Sequence, residues 1–437
     1  MRQPRNALHW VRGHPKRRQL DTHDPPWIAA GSLSKLPLEL LELLSWYLNK
    51  HDICSLRRTC RHLAQCSFRP FKHHFHTLQT DLSRTSLERL LELAKDPELS
   101  PRVLHMVIQK PDNDDFGRGY RWGGSPHSPF SQDGFMQFRS VLDGLVNCRA
   151  LEIRAQGPTC PPRFLPPLGA LGMVIRLGAV DGFKLKSLMI DVWVHSSSNN
   201  RIGFGFIQRL SPMSSKCPNL SKAWKDLESL VVQQVTFKLA DSSFNFLLLL
   251  RGARRLRKLD LSFVHDGTDQ EAFLKGLASI GERFQLQELR LAHAYLGYST
   301  LSINTLFRCQ RSSLQKLTLE CLGLDGRDRG WKSVLETLRH PDSTLRGISL
   351  SALSQRTVVT LNPSSLRPYL LFFPAFGHLF TPVPTGEMEF GNIVHLHKRP
   401  PESISTFEYS GECMDAALER VVNWSRLSPR GPSSHVS

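Results

Sequence analysis

Leu227-Glu-Ser-Leu-Val-Val232, Leu256-Arg-Lys-Leu-Asp-Leu261, Leu286-Gln-Glu-Leu-Arg-Leu291, Leu314-Gln-Lys-Leu-Thr-Leu319 and Leu345-Arg-Gly-Ile-Ser-Leu350 share one apolar spacing. An apolar residue is followed by two free positions, an apolar residue, one free position and another apolar residue. The motifs start 29, 30, 28 and 31 residues apart, a register that scattered leucines would not keep. Each is followed by an apolar residue three positions past its last anchor: Val235, Val264, Ala294, Leu322 and Leu353. Between the motifs lie segments with helical character, Phe244 to Gly252, Asp269 to Phe284, Ser299 to Phe307 and Trp331 to His340. Gly252, Gly281 and Pro341 close three of them. A strand with alternating anchors followed by a helix, repeated, predicts an α/β chain of strand–helix units in which each unit buries its neighbour's face.

The pattern resembles a leucine-rich repeat, which implies a solenoid with one strand and one helix per repeat. Where many such repeats place Asn or Cys past the third anchor, this chain has Val, Ala or Leu, so a less regular arc is expected. Weaker matches flank the clear ones: Val103, Met106 and Ile108; Cys148, Leu151 and Ile153; Leu185-Lys-Ser-Leu-Met-Ile190; and Ile404, Phe407 and Tyr409, 59 residues past the last clear motif and so near twice the repeat. Gly/Pro-rich or long loops near 111–134, 157–170 and 196–223 interrupt the series. The first, carrying Tyr120, Trp122 and Phe130, is a candidate recognition loop.

Ahead of the repeats the composition changes. Residues 36–63, LPLELLELLSWYLNKHDICSLRRTCRHL, are half apolar. Pro37 suits a first helical position, where its missing N–H costs nothing. On a helical wheel Leu36, Leu40, Leu41, Leu43, Leu44, Tyr47 and Leu48 cover an arc of about 160°, with Glu39, Glu42 and Ser45 opposite. Asp52 is a candidate N-cap for a second helix carrying Ile53 and Leu56, and a third short helix runs through Cys60 and Leu63. Helices this short have little core of their own, so the wide apolar arc needs a cover from this chain or from another.

Leu36-Pro37-x-Glu39-Leu40-Leu41, Leu44, Leu48, Asp52-Ile53, Leu56 and Cys60-Arg61 together resemble an F-box, with Thr59 in place of the usual Val and Leu63 near the usual Trp. The resemblance covers about a tenth of the chain. It implies a partner, the Skp-family adaptor, and through it a cullin-RING ubiquitin ligase. On the matching positions it implies Leu36, Pro37, Leu40, Leu44, Leu48, Ile53 and Leu56 as adaptor contacts. The expected organisation is a basic arm over residues 1–32, an F-box-like helical domain over 33–80, an irregular repeat region over 81–424 and a disordered tail over 425–437.

Composition narrows the function classes. Among 437 residues, Lys and Arg number 56 and Asp and Glu 39, a formal charge of +17. No apolar run approaches the roughly 18 residues of a membrane span. The basic N-terminal stretch lacks the apolar core of a secretory signal, and Lys16, Arg17 and Arg18 form a candidate nuclear-import patch. Nine scattered cysteines without a CxxC pair fit reduced thiols, so a cytoplasmic or nuclear location is expected. No GxSxG elbow or GxxxxGK[ST] loop occurs, and Gly203-Phe-Gly205 lacks the third glycine of a dinucleotide fingerprint. His73, His74 and His76 beside Cys60 and Cys66 match no tetrahedral metal spacing. No catalysis, cofactor or metal is therefore expected.

The charge raises nucleic acid as a partner. The outward positions of the clear motifs nevertheless mix Arg257, Lys258, Arg290, Lys316 and Arg346 with Glu228, Asp260, Glu288 and Glu320, a surface that suits a protein target better than a phosphate track. Arg257, Lys258, Asp260, Glu288, Arg290, Lys316 and Glu320 are the candidate target-binding residues. The expected function is substrate recognition for an SCF-type ubiquitin ligase. The alternatives are a repeat scaffold without an adaptor and a basic nucleic-acid-associated repeat protein.

Overall fold

The computed structural model describes residues 33, 36–109, 116–120, 132–156, 167–180, 183–193, 222–235, 240–263, 270–296, 300–325, 330–356, 368–372, 406–411, 414–424 and 426–429. The basic arm, Trp122, Phe130 and most of the 196–223 loop lie outside the described residues. The chain divides into two units, Met1–Phe75 and His76–Ser437.

Four short helices make up the first unit: α1 (Leu38–Trp46), α2 (Lys50–Thr59), α3 (Arg61–Cys66) and α4 (Phe68–His73). The structure moves two expected caps. Pro37 is the residue before α1 rather than within it, and its carbonyl accepts from the N–H groups of Leu40 and Leu41. Asn49, not Asp52, caps α2. Its side chain accepts from the N–H groups of His51 and Asp52 and donates to the Asp52 carboxylate at 2.6 Å. Asp52 therefore answers the cap from inside the first turn, where a negative charge also suits the helix dipole.

The unit's core is Leu41, Leu63 and Cys66, with Leu36 and Leu56 packed against it. Arg57 ties three of the helices together. It donates to the Ala64 carbonyl and lies over the rings of Phe68 and Phe71, 5.1 and 4.2 Å from their centroids. Burial lowers its pKa, against a smaller opposing influence of Cys54.

The second unit begins with a strand that the sequence had grouped with the helices. Its elements are β1 (Thr77–Thr80), α5 (Arg84–Ala94), β2 (His105–Gln109), α6 (Gln132–Gly144), β3 (Ala150–Gln156), α7 (Pro167–Val180), β4 (Ser187–Trp193), β5 (Ser229–Val235), α8 (Ala240–Gly252), β6 (Lys258–Phe263), α9 (Gln270–Ile280), β7 (Glu288–Ala292), α10 (Thr300–Gln310), β8 (Lys316–Glu320), β9 (Gly323–Asp325), α11 (Gly330–Leu338), β10 (Gly347–Ser351), β11 (Ser354–Arg356), β12 (Pro368–Phe372), β13 (Thr406–Ser410), α12 (Met414–Trp424) and β14 (Arg426–Pro429).

A ten-stranded sheet runs β1-β2-β3-β4-β5-β6-β7-β8-β10-β13, in chain order. Every pair through β10 is parallel. Parallel neighbours need a long crossover, which the intervening helices supply. The weak matches at 103, 148 and 185 become β2, β3 and β4. The match near 404 is corrected in direction: β13 runs antiparallel to β10, so it closes the sheet rather than continuing the repeat.

The register explains the motif. Leu78, Met106, Leu151, Leu188, Leu230, Leu259, Leu289, Leu317, Ile348 and Tyr409 are paired in one row across the sheet, and all are buried. Fully burying such a side chain contributes about 1.5–3 kcal/mol. Of the residues three past the last anchor, Ala294, Leu322 and Leu353 are buried too. The residue before each of these, His293, Cys321 or Ala352, has positive φ (58°, 50° and 51°), and Leu82 repeats the turn after β1 at 57°. Asn side chains are not needed to hold these turns, because backbone groups of neighbouring turns bond each other: His293 N to Glu320 O at 2.9 Å and Cys321 N to Ser351 O at 2.8 Å.

Helices pack side by side in sequence, α5 on α6, and α8 through α12 in succession. At the α5–α6 crossing Gly144 is required, since a Cβ there would sit 2.8 Å from that of Ala94. Three expected loop or tail boundaries shift. The 111–134 segment is anchored in part: Phe116 is fully buried, Gly117 N donates to Asp81 O at 2.8 Å, Tyr120 bonds Gln137, and α6 starts at Gln132. The 157–170 segment gives its last residues to α7. Residues 426–429, expected in a disordered tail, form β14, which pairs with β12 in a second sheet ordered β14-β12-β11-β9.

Candidate functional site

In the first unit a single leucine of α1 enters the core. It is Leu41, at 2% exposure, and its partner in the buried stripe is Ser45, one turn on. Ser45 stood on the polar side of the wheel. It is tolerated inside because its hydroxyl donates to the Leu41 carbonyl at 2.7 Å, so burial leaves no bond unmade. The remaining face turns outward: Leu38, Leu40, Leu43, Leu44 and Trp46 are each 46–51% exposed and Tyr47 is 82% exposed. Trp46 is steadied by the edge-on ring of His73, 5.2 Å away. Leu40, Leu43, Leu44 and Tyr47, all exposed on one side of α1, make that side a candidate interaction surface.

The expected adaptor contacts thus separate. Leu40 and Leu44 lie on the open face, and Pro37 is exposed beside it. Leu36, Leu48 and Leu56 are half-buried, Leu36 and Leu56 against the internal cluster. Ile53 is completely buried, so it is not on the open face with Leu40 and Leu44. The wheel reading leaves out Leu38 and Trp46, and both are about half exposed. The signal was there, since every position on α1 but Leu41, Ser45 and the two glutamates is apolar and outward.

The candidate residues of the repeats also separate. Lys258 pairs with Glu288 at 2.9 Å across adjacent strands. Arg290 bridges Asp260 at 2.9 Å and Glu320 at 2.7 Å. Burial opposes the Arg290 charge, but its bonds to the two carboxylates hold its pKa above the ordinary value. These five residues, two cations and three carboxylates, pair with one another on the sheet face and leave it one negative charge in excess. Arg257 and Lys316 have no ion partner among the described residues. Arg257 precedes β6, at the edge where chains enter the strands, instead of on the face with Lys258.

His293, Glu320 and Cys321 bring donor atoms within 4.8 Å of one another. Glu320 is already held by the Arg290 guanidinium, which sets a permanent positive charge beside the cluster, and burial followed by Glu320 pushes the Cys321 thiol up, away from the thiolate a metal needs. In the first unit Cys60 caps α3, and Cys66 lies 3.5 Å from the ring of His62.

Among the described residues no helix is long and apolar enough to cross a membrane. Comparison of the chain with models of known protein families and with curated proteins returns no match to either.

Proposed function

We propose that this chain is a substrate receptor of an SCF-type cullin-RING ubiquitin ligase. The first unit acts as an F-box that docks on a Skp-family adaptor, and the second acts as an irregular leucine-rich-repeat solenoid that holds a target protein. The observation that carries the reading is the outward apolar face of α1, with Leu40 and Leu44 at its centre, on a unit whose own core is only a few side chains. A helix presenting such a face fits a groove on a partner.

The mechanism is proximity. The receptor performs no bond-making; it holds a lysine-bearing target near a ubiquitin-charged enzyme and raises the effective concentration of the two. The paired cations and the excess carboxylate on the sheet face favour a protein target over nucleic acid, which would ask for an unbroken basic track. The test is co-expression with a Skp-family adaptor followed by size-exclusion chromatography. The expected result is a single peak containing both chains; separate elution of two soluble chains overturns the reading.

A further inference from the structure

Among the described residues of the second unit, three arginines without an ion partner line one groove. The turns that lead into β5, β6, β7, β8 and β10 enclose a groove of about 640 Å3, lined by Arg254, Arg255, Arg257 and Arg283 with Glu228 and Glu282. Two of these six are neutralised by neighbours: Glu228 by Lys186 at 3.0 Å and Arg255 by Asp226 at 3.4 Å. Arg254, Arg257 and Arg283 are exposed and have no ion partner among the described residues. The contrast with the adjoining face, where Arg290 is shared between two carboxylates, sets the groove apart.

Three further features bear on what fits. Gln287, Gln315, Ser313 and Thr344 also line the groove; the two hydroxyls already donate to backbone carbonyls and are left to accept, while side-chain amides can both donate and accept, as a peptide backbone requires. From the turn before β5 to the turn before β10 is four inter-strand steps, or about 19 Å, the length of an extended segment of about five or six residues. The wall is also rigid. Gln310, fully buried, accepts from Leu286 N at 2.7 Å and donates to the carbonyls of Gly281 and Phe284, which fixes the turn carrying Arg283.

We infer that this strand-entry groove binds an extended, carboxylate-rich peptide segment of the target, with Arg254, Arg257 and Arg283 meeting successive acidic side chains. Arg254 and Arg257 stand on the turn before β6 and Arg283 on the turn before β7, one inter-strand step of about 4.8 Å away, so the three guanidiniums match neighbouring carboxylates on an extended chain. The inference rests on the receptor reading for the statement that the segment belongs to a target.

The experiment uses the full chain and three fluorescein-labelled hexapeptides, one glutamate-rich, one with glutamine in place of glutamate, and one with a single phosphoserine among glutamines. Anisotropy is read at low and physiological ionic strength for the wild type, for Arg257→Glu/Arg283→Glu, and for the control Arg89→Glu/Arg102→Glu, which changes the net charge equally on exposed residues outside the groove. The expected result is salt-sensitive binding of the glutamate peptide alone, weakened about tenfold or more by the groove variant and little by the control. Equal binding of the glutamine peptide, equal loss in both double variants, or binding of the phosphoserine peptide without the glutamate peptide each overturns it. Adaptor co-elution of the groove variant is read in parallel: retained co-elution with lost peptide binding confines the effect to the groove, while absent co-elution in the wild type strikes the receptor reading and leaves the groove result standing.

Discussion

Helix α1 and the strands β6 to β10 both carry leucine as their main apolar residue, yet they treat it in opposite ways. In the strands Leu259, Leu261, Leu289, Leu291, Leu317 and Leu319 are at most 1% exposed. In α1 four of the five leucines, Leu38, Leu40, Leu43 and Leu44, are about half exposed. The difference is not composition but supply of neighbours. Each strand is flanked by the next along the chain and covered by the crossover helices, so every inward anchor has a ready-made face to meet. The first unit has four helices of six to ten residues and no such succession. Among the described residues its apolar surplus is left exposed.

The comparison is sharpened most by one substitution made in both places. Leu317→Ala, in the buried row, is expected to destabilise the second unit by about 2–5 kcal/mol, whereas Leu44→Ala should change the stability of the first by no more than about 0.5 kcal/mol. Urea unfolding followed by circular dichroism measures both; comparable losses would break the distinction. Next in size is Gln310→Leu. It removes a buried amide whose partners Leu286 N, Gly281 O and Phe284 O are then left wanting, at an expected cost of about 1–3 kcal/mol in the second unit. A smaller loss, about 1 kcal/mol, is expected in the first unit from Asn49→Ala, which strips the cap of α2; Asp52→Ala should cost less, because Asp52 only answers that cap.

The smallest effect is on pH dependence, and it belongs to the second unit. His105 sits 3.5 Å from the buried carboxylate of Glu152. Burial holds its pKa below the ordinary 6.5, against the pull of Glu152 and with help from Arg154. A base whose folded pKa is depressed binds fewer protons folded than unfolded, so its contribution is intact above about pH 6.5 and shrinks as pH falls below it. Thermal melts of the wild type from pH 7.5 to 5.5 should show a slight fall that His105→Gln makes shallower; a rise on acidification would reverse the sign argued here.

Much of the parallel sheet was legible because its anchors repeat at a fixed interval, and even faint matches such as Cys148, Leu151 and Ile153 held their register. β1 escaped notice for a physical reason. Its second anchor is Thr80, whose hydroxyl is buried by bonding Leu82 N and Ser86 Oγ, so hydrogen bonds stand where the motif has a leucine. The direction of β13 was not legible, since spacing is the same whichever way a strand runs. In the helices the wheel found the apolar arc but not which side of it faces inward; Ser45 takes the inside by satisfying its own hydroxyl, and Ile53, on α2, is fully buried. On the sheet face the residue types were legible and their pairing was not, because Arg290 reaches Asp260 and Glu320 across strands 30 residues away in each direction.

The account turns on whether the open face of α1 is an adaptor surface. Titration calorimetry of purified Skp-family adaptor into the wild-type chain and into Leu40→Glu/Leu44→Glu asks this directly. One-to-one binding by the wild type, abolished in the double variant while the far-ultraviolet melt of the repeat unit stays unchanged, is the predicted result. Equal heats for the two proteins, or no heat with the wild type, would contradict it.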